Sequence, residues 1–129
     1  MSVSNTSKEV NYSDNLWILS TTDLKGDITY INQDFLDVSG YESEELIGKP
    51  HNCIRHQDMP SAAFANLWKT LQSGKTWMGL VKNRCKNGDY YWVNAYASPI
   101  RENGEVVEYQ SVRFKPERKL VAKAEALYK

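Results

Sequence analysis

The chain has no surplus of charge of either sign: sixteen lysines and arginines face sixteen aspartates and glutamates. A general binder of nucleic acid or of an anionic membrane surface needs a positive excess, so that class is set aside. Cysteine is scarce. Cys53 and Cys85 are the only two, too few for a disulfide framework, and a reducing compartment is the simpler expectation. No apolar run approaches the roughly 20 residues that span a bilayer. The opening MSVSNTSKEVNYSD lacks the basic-then-apolar layout of a signal peptide. These absences predict a soluble, cytoplasmic domain, tethered to the inner membrane only through a longer receptor, and 129 residues suffice for one core.

What is present is an alternation of strand and short helix signals. Residues 1–13 are polar and without period, and are expected to form a flexible tail. Lys25-Gly26, Asn87-Gly88 and Asn103-Gly104 each separate two strand-like stretches, and Asn-Gly suits the positive φ angles of a two-residue hairpin turn. Five antiparallel strands follow, an N-terminal pair and a C-terminal run of three. Between them, Asn32 can cap QDFLDVS, closed by Gly40, and Ser43 can cap EELI. The stretch PSAAFANLWKTLQSG puts Ala63, Phe64, Leu67, Trp68 and Leu71 on one helical face. After Pro116, Leu120, Ala124, Leu127 and Tyr128 form a stripe that needs a partner surface. The pattern predicts an α+β domain over residues 14–115, with short helices on one face of the sheet and an amphipathic exit helix over 116–129.

The densest chemistry lies in GKPHNCIRHQDMP, residues 48–60. His51 and His56 flank Cys53 at a spacing foreign to zinc sites, and no second ligand cluster follows. No histidine falls within residues 60–73, so a haem ligand would have to be His51 or His56. Nucleophilic catalysis by Cys53 would need a lowered pKa, a base and an oxyanion hole, and the chain suggests no such hole. Arg55, His56 and Asp58 fit a functional cluster or a solvated loop entering a helix, with Asp58 capping near Pro60. Asn83 stands in a strand, where asparagine is disfavoured, which favours a site over a structural role.

The stretches RHQDMPSAAFANLW and WMGLVKNRCKNGDYYWV, on this order of elements, resemble the FAD-binding PAS domain of bacterial aerotaxis and energy-taxis receptors, from about residue 20 to residue 115. The resemblance implies a flavoprotein sensor, not an enzyme, that holds FAD non-covalently and reports redox state or oxygen in chemotaxis signal transduction. It implies cofactor contacts at Asn32, Arg55, His56, Asp58, Phe64, Trp77 and Asn83, no metal, and a downstream HAMP or chemoreceptor signalling domain as partner, with a homodimer left open. The side-chain chemistry agrees with a flavin. Asn83 offers a donor and an acceptor for an imide edge, Arg55 a fork for phosphate oxygens or for Asp58, and Trp77 a flat apolar surface.

Two other readings stand beside it. One is a cofactor-free PAS module for dimerisation or docking. The other is a LOV-like flavin photosensor using Cys53, although the asparagine pair such domains carry is broken here, with Val93 at the second position and Asn94 on the opposite face.

Overall fold

The computed structural model describes residues 8–56 and 59–128, Asn52 through its backbone alone. The elements are β1 (Ile18–Thr22), β2 (Ile28–Ile31), α1 (Gln33–Ser39), α2 (Ser43–Leu46), a 3-10 turn (His51–Ile54), α3 (Ser61–Gln72), β3 (Trp77–Arg84), β4 (Tyr90–Glu102), β5 (Glu105–Phe114) and α4 (Arg118–Leu127). One antiparallel sheet in the order β2-β1-β5-β4-β3 joins the N-terminal pair to the C-terminal three through β1 and β5. This is the expected α+β architecture.

Local chemistry explains most of the boundaries. Asn32 Oδ1 accepts from the Phe35 amide and starts α1, and Gly40, at φ 78°, ends it in the left-handed conformation that glycine adopts without strain. At the β4–β5 turn both Asn103 and Gly104 have positive φ, 52° and 84°, as a two-residue primed turn requires. The β3–β4 connection differs from the expected two-residue turn. Only Gly88 has positive φ there, and the Cys85 amide reaches the Asp89 carbonyl at 2.7 Å to close a longer loop. The cap of α2 is Glu42, one residue before Ser43, and its amide donates to Glu45 Oε1 at 2.8 Å.

Residues 8–12 are not a free tail. Lys8 and Val10 exchange backbone hydrogen bonds with Tyr90, and the buried Tyr12 donates its hydroxyl to the Trp92 carbonyl. Residues 1–7 of the expected tail lie outside the described residues. At the other end, α4 buries Val121 and Ala124 against Trp92, while Tyr128 stacks on Trp92 and donates to the Leu80 carbonyl at 3.0 Å. Leu127, expected on the buried stripe, is 79% exposed. Spacings of three and four residues put 121, 124 and 128 on one line, rotated from the stripe through Leu127. Tyr91 and Val93 belong to the main core while Trp92, between them in β4, belongs to the cluster with Val121 and Ala124, so α4 lies on the sheet face opposite the main core.

Candidate functional site

Between α3 and the inner face of the sheet lies a cavity of about 360 Å³, within the usual range for small-molecule sites. Its origin is compositional. Antiparallel partners share a face, and the register aligns Ala97 with Ser111 and Ser111 with Ser20 across β4, β5 and β1. Small side chains form the floor where a full core would place large ones. The roof is α3, which turns Phe64, Leu67 and Trp68 toward the opening and fully buries only Leu71. Trp68 meets Tyr109 edge-on at 5.6 Å, closing one end.

Two buried polar atoms of lining residues have no hydrogen-bond partner among the described residues: Asn83 Nδ2 and Thr22 Oγ1. Leaving such groups unpaired costs about 1–3 kcal/mol each, and both residues belong to the cavity lining. Asn83 is 2% exposed, and its backbone bridges to Arg55. That bridge carries Arg55 to the cavity edge, where its guanidinium sits 4.8 Å from the centre of the Phe64 ring.

Arg113 is the most deeply buried cation among the lining residues. It is 3% exposed and donates to Ser20 Oγ at 2.9 Å and to the Ile18 carbonyl at 3.3 Å. It also approaches His51 Nε2 at 2.6 Å. Arginine has no acceptor, so Nε2 accepts and the imidazole is neutral with its proton on Nδ1. Burial, then the Arg113 charge, lower the His51 pKa to about 3. His51 keeps part of its surface exposed, but the ring nitrogen beside Arg113 is in the interior. Burial lowers Arg113 itself to about 10, which leaves it a cation at neutral pH. No carboxylate among the described residues pairs with it.

Of the residues expected at a site, Arg55, Phe64 and Asn83 line this cavity. Asn32, His56 and Trp77 do not. Asn32 joins β1 to α1: its Oδ1 also accepts from Leu19, and its Nδ2 donates to the Trp17 carbonyl. His56 is buried with its ring edge-on to Tyr90 at 5.9 Å, and its amide donates to the Lys82 carbonyl. Trp77 lies over Gly79 and donates from Nε1 to Asn66 Oδ1 at 2.9 Å, fastening β3 to α3. Asp58 lies outside the described residues. Sequence reasoning missed Ser20, Thr22, Lys25, His51, Trp68 and Arg113. For Arg113 the sequence offered little signal, because β5 also carries Glu105, Glu108, Gln110 and Ser111, and which face each takes depends on the pairing register.

Cys53 is half-buried outside the cavity lining, and burial raises its thiol pKa. Cys85 is pushed to about 12 by burial. Neither has the lowered pKa of a reactive thiol. Among the described residues, no three His, Cys, Asp or Glu side chains are grouped to hold a metal ion. Among the same residues no helix is long and apolar enough to cross a membrane.

Comparison with known proteins places this geometry. A family profile described as the PAS fold matches residues 28–113. The aerotaxis receptor of Escherichia coli K12 is 48% identical over 124 residues, 96% of this chain and 24% of that protein. The nitrogen fixation regulatory protein of Klebsiella pneumoniae is 26% identical over 96 residues, 74% of this chain and 19% of that protein. The chain therefore spans a quarter or less of the length of these relatives. Among solved structures, a light-oxygen-voltage domain studied with a flavin analogue superposes with TM-score 0.74 at 25% identity, over 87% of this chain and 88% of that one. The light-state LOV domain of the blue-light photoreceptor Aureochrome1 gives 0.74 at 19% identity, over 83% and 90%, which speaks to the fold alone.

Proposed function

The chain belongs to the PAS fold family, and on that premise we propose that it is a non-enzymatic sensor domain that binds a flavin, FAD by resemblance, between α3 and the sheet. In this reading it signals redox state or oxygen from the cytoplasm to a HAMP or chemoreceptor signalling module, as part of aerotaxis-type signalling. The observation that carries the reading is Asn83: a buried strand amide in the cavity wall whose Nδ2 has no hydrogen-bond partner among the described residues. A carboxamide presents a donor and an acceptor side by side, which matches the imide edge of a flavin.

The bound flavin would supply reversible electron transfer, with altered protonation and hydrogen bonding at its ring nitrogens. The chain's own residues do the rest. Asn83 fixes the ring's edge, Phe64 and Trp68 give apolar walls, and Arg113 sets a positive charge over the floor. A change at the Asn83 amide passes to Tyr91, its neighbour across β3 and β4, and to the Arg55 segment bridged to it. Asn32, His56 and Trp77 act at one remove, holding α1, the Arg55–His56 stretch and α3 in place. Signalling requires that such a change bias a two-state element, and α4, packed on Trp92, lies on the strand next to Asn83.

Purification and a visible spectrum test the reading: a yellow protein, or one that turns yellow with FAD, is expected. Asn83→Ala should lower flavin occupancy. A protein that stays colourless after incubation with FAD overturns the proposal. That result would favour a docking module, for which the exposed Trp17, Met78 and Tyr96 on the outer sheet face are the relevant feature.

A further inference from the structure

Two buried polar atoms without a hydrogen-bond partner among the described residues, Asn83 Nδ2 and Tyr91 Oη, belong to residues that stand opposite each other. Asn83 and Tyr91 pair directly across β3 and β4. Such partners share one face of the sheet, with Cβ atoms about 4.5–5.5 Å apart. Asn83 is 2% exposed and Tyr91 is fully buried, so bulk water reaches neither side chain. Two orphaned polar groups side by side are costly unless they serve each other.

The other polar groups that bear on the Tyr91 hydroxyl are engaged elsewhere. Arg113 is turned to Ser20, the Ile18 carbonyl and His51. The Cys85 thiol donates to the Val38 carbonyl at 3.4 Å, and Tyr41 faces Arg84. Asn83 is left. Burial pushes the Tyr91 pKa up, while the Arg113 charge and a hydrogen-bonding approach from the Asn83 side chain act the other way. The Tyr91 ring is also fixed in place. Tyr12 meets it edge-on at 6.3 Å, and Tyr12 is itself tied to the Trp92 carbonyl.

We infer that Tyr91 is a positioning residue for the flavin: its hydroxyl accepts from Asn83 Nδ2 and so turns Oδ1, the acceptor end of the carboxamide, toward the cavity. This rests on the flavin reading and adds to it which end of Asn83 meets the ring. Nδ2 has next to no accessible surface, as an atom with an inward partner should. An acceptor at that point takes the N–H of the flavin imide and has nothing to offer a ring that lacks it. A phenylalanine at position 91 fills the same space without holding the amide, which is then free to rotate and present Nδ2 instead.

The test is equilibrium binding of riboflavin, and of riboflavin methylated at the imide nitrogen, to the full chain and to Tyr91→Phe, Asn83→Ala and the double variant. Circular dichroism and urea denaturation show whether each variant is folded. The wild-type protein should prefer unmodified riboflavin about tenfold, the worth of one well-made buried hydrogen bond. Tyr91→Phe should cut that preference about three- to tenfold by weakening riboflavin, with the methylated ligand little changed. Asn83→Ala should abolish the preference, and adding Tyr91→Phe to it should change neither ligand further. A merely structural role for Tyr91 would weaken both ligands alike in both backgrounds, and that result overturns the proposal. An unchanged preference in Tyr91→Phe overturns it too. So does a wild-type protein that binds the two ligands equally, a measurement that needs no variant. These three results leave the flavin reading intact. If neither FAD nor riboflavin binds the wild-type protein, both fall together.

Discussion

Burial of His51 beside Arg113 couples a proton to the fold. With an ordinary pKa near 6.5 and a folded value of about 3, His51 takes up a proton in the unfolded chain before it does in the native one. The unfolded state therefore gains stability as pH falls through 6.5, and the loss continues toward 3. Because part of the residue meets solvent, we expect about 0.5–1 kcal/mol lost per pH unit from this group just below 6.5. Urea denaturation at pH 7, 6 and 5 measures it. His51→Gln should start less stable at pH 7 and show the shallower decline between pH 6.5 and 5, before carboxylates begin to titrate. Equal slopes would mean that His51 titrates alike in the native and unfolded states. Neither His51 nor Arg113 was legible as a pair in the sequence. Sixty-two positions separate them, and nothing local to either says that β5 will carry the guanidinium to that turn.

Elements were legible where their ends are locally encoded and less so where a distant surface fixes their phase. Asn32 and Gly40 mark α1, and Asn103-Gly104 marks a primed turn, because cap and turn chemistry act over a few residues. The buried line of α4 was legible only approximately. Two adjacent helical stripes both contain apolar residues, and the position of Trp92 selects the one through Val121, Ala124 and Tyr128. Residues 8–12 read as a tail for the same reason, since their partners Tyr90 and Trp92 lie some 80 positions away. The candidate site was partly legible: Asn83 stood out as a polar residue in a strand, whereas Thr22 and Trp68 looked like ordinary strand and core residues. The phase of α4 is directly testable. Val121→Ala removes buried methyls and should cost about 1–2 kcal/mol, while Leu127→Ala should change stability by no more than about 0.5 kcal/mol. Comparable losses in the two variants would place α4 in the other register.

At the scale of the whole molecule, the consequence of a small-residue floor is an uneven distribution of stability. The sheet is continuous across five strands and α4 is anchored by Trp92. The roof helix α3 instead faces a cavity, buries only Leu71 fully and is fastened to β3 by the Asn66–Trp77 hydrogen bond. A helix with so little buried surface belongs to the part of the protein that opens first. Filling the cavity should act most strongly there. A ligand that binds only the folded state adds about 2.7 kcal/mol at a hundred times its Kd. Hydrogen exchange followed by mass spectrometry, with and without saturating FAD, separates a local effect from a general one. Without ligand, α3 peptides should exchange faster than β4 or α4 peptides; with it, α3 should gain the largest protection. The segment 48–56 that borders the cavity should follow α3. Equal gains in α3 and α4 would indicate only global stabilisation and would count against the α3 cavity as the place where the flavin binds. A gain concentrated in α3 would identify its closure as the conformational step that ligand binding controls.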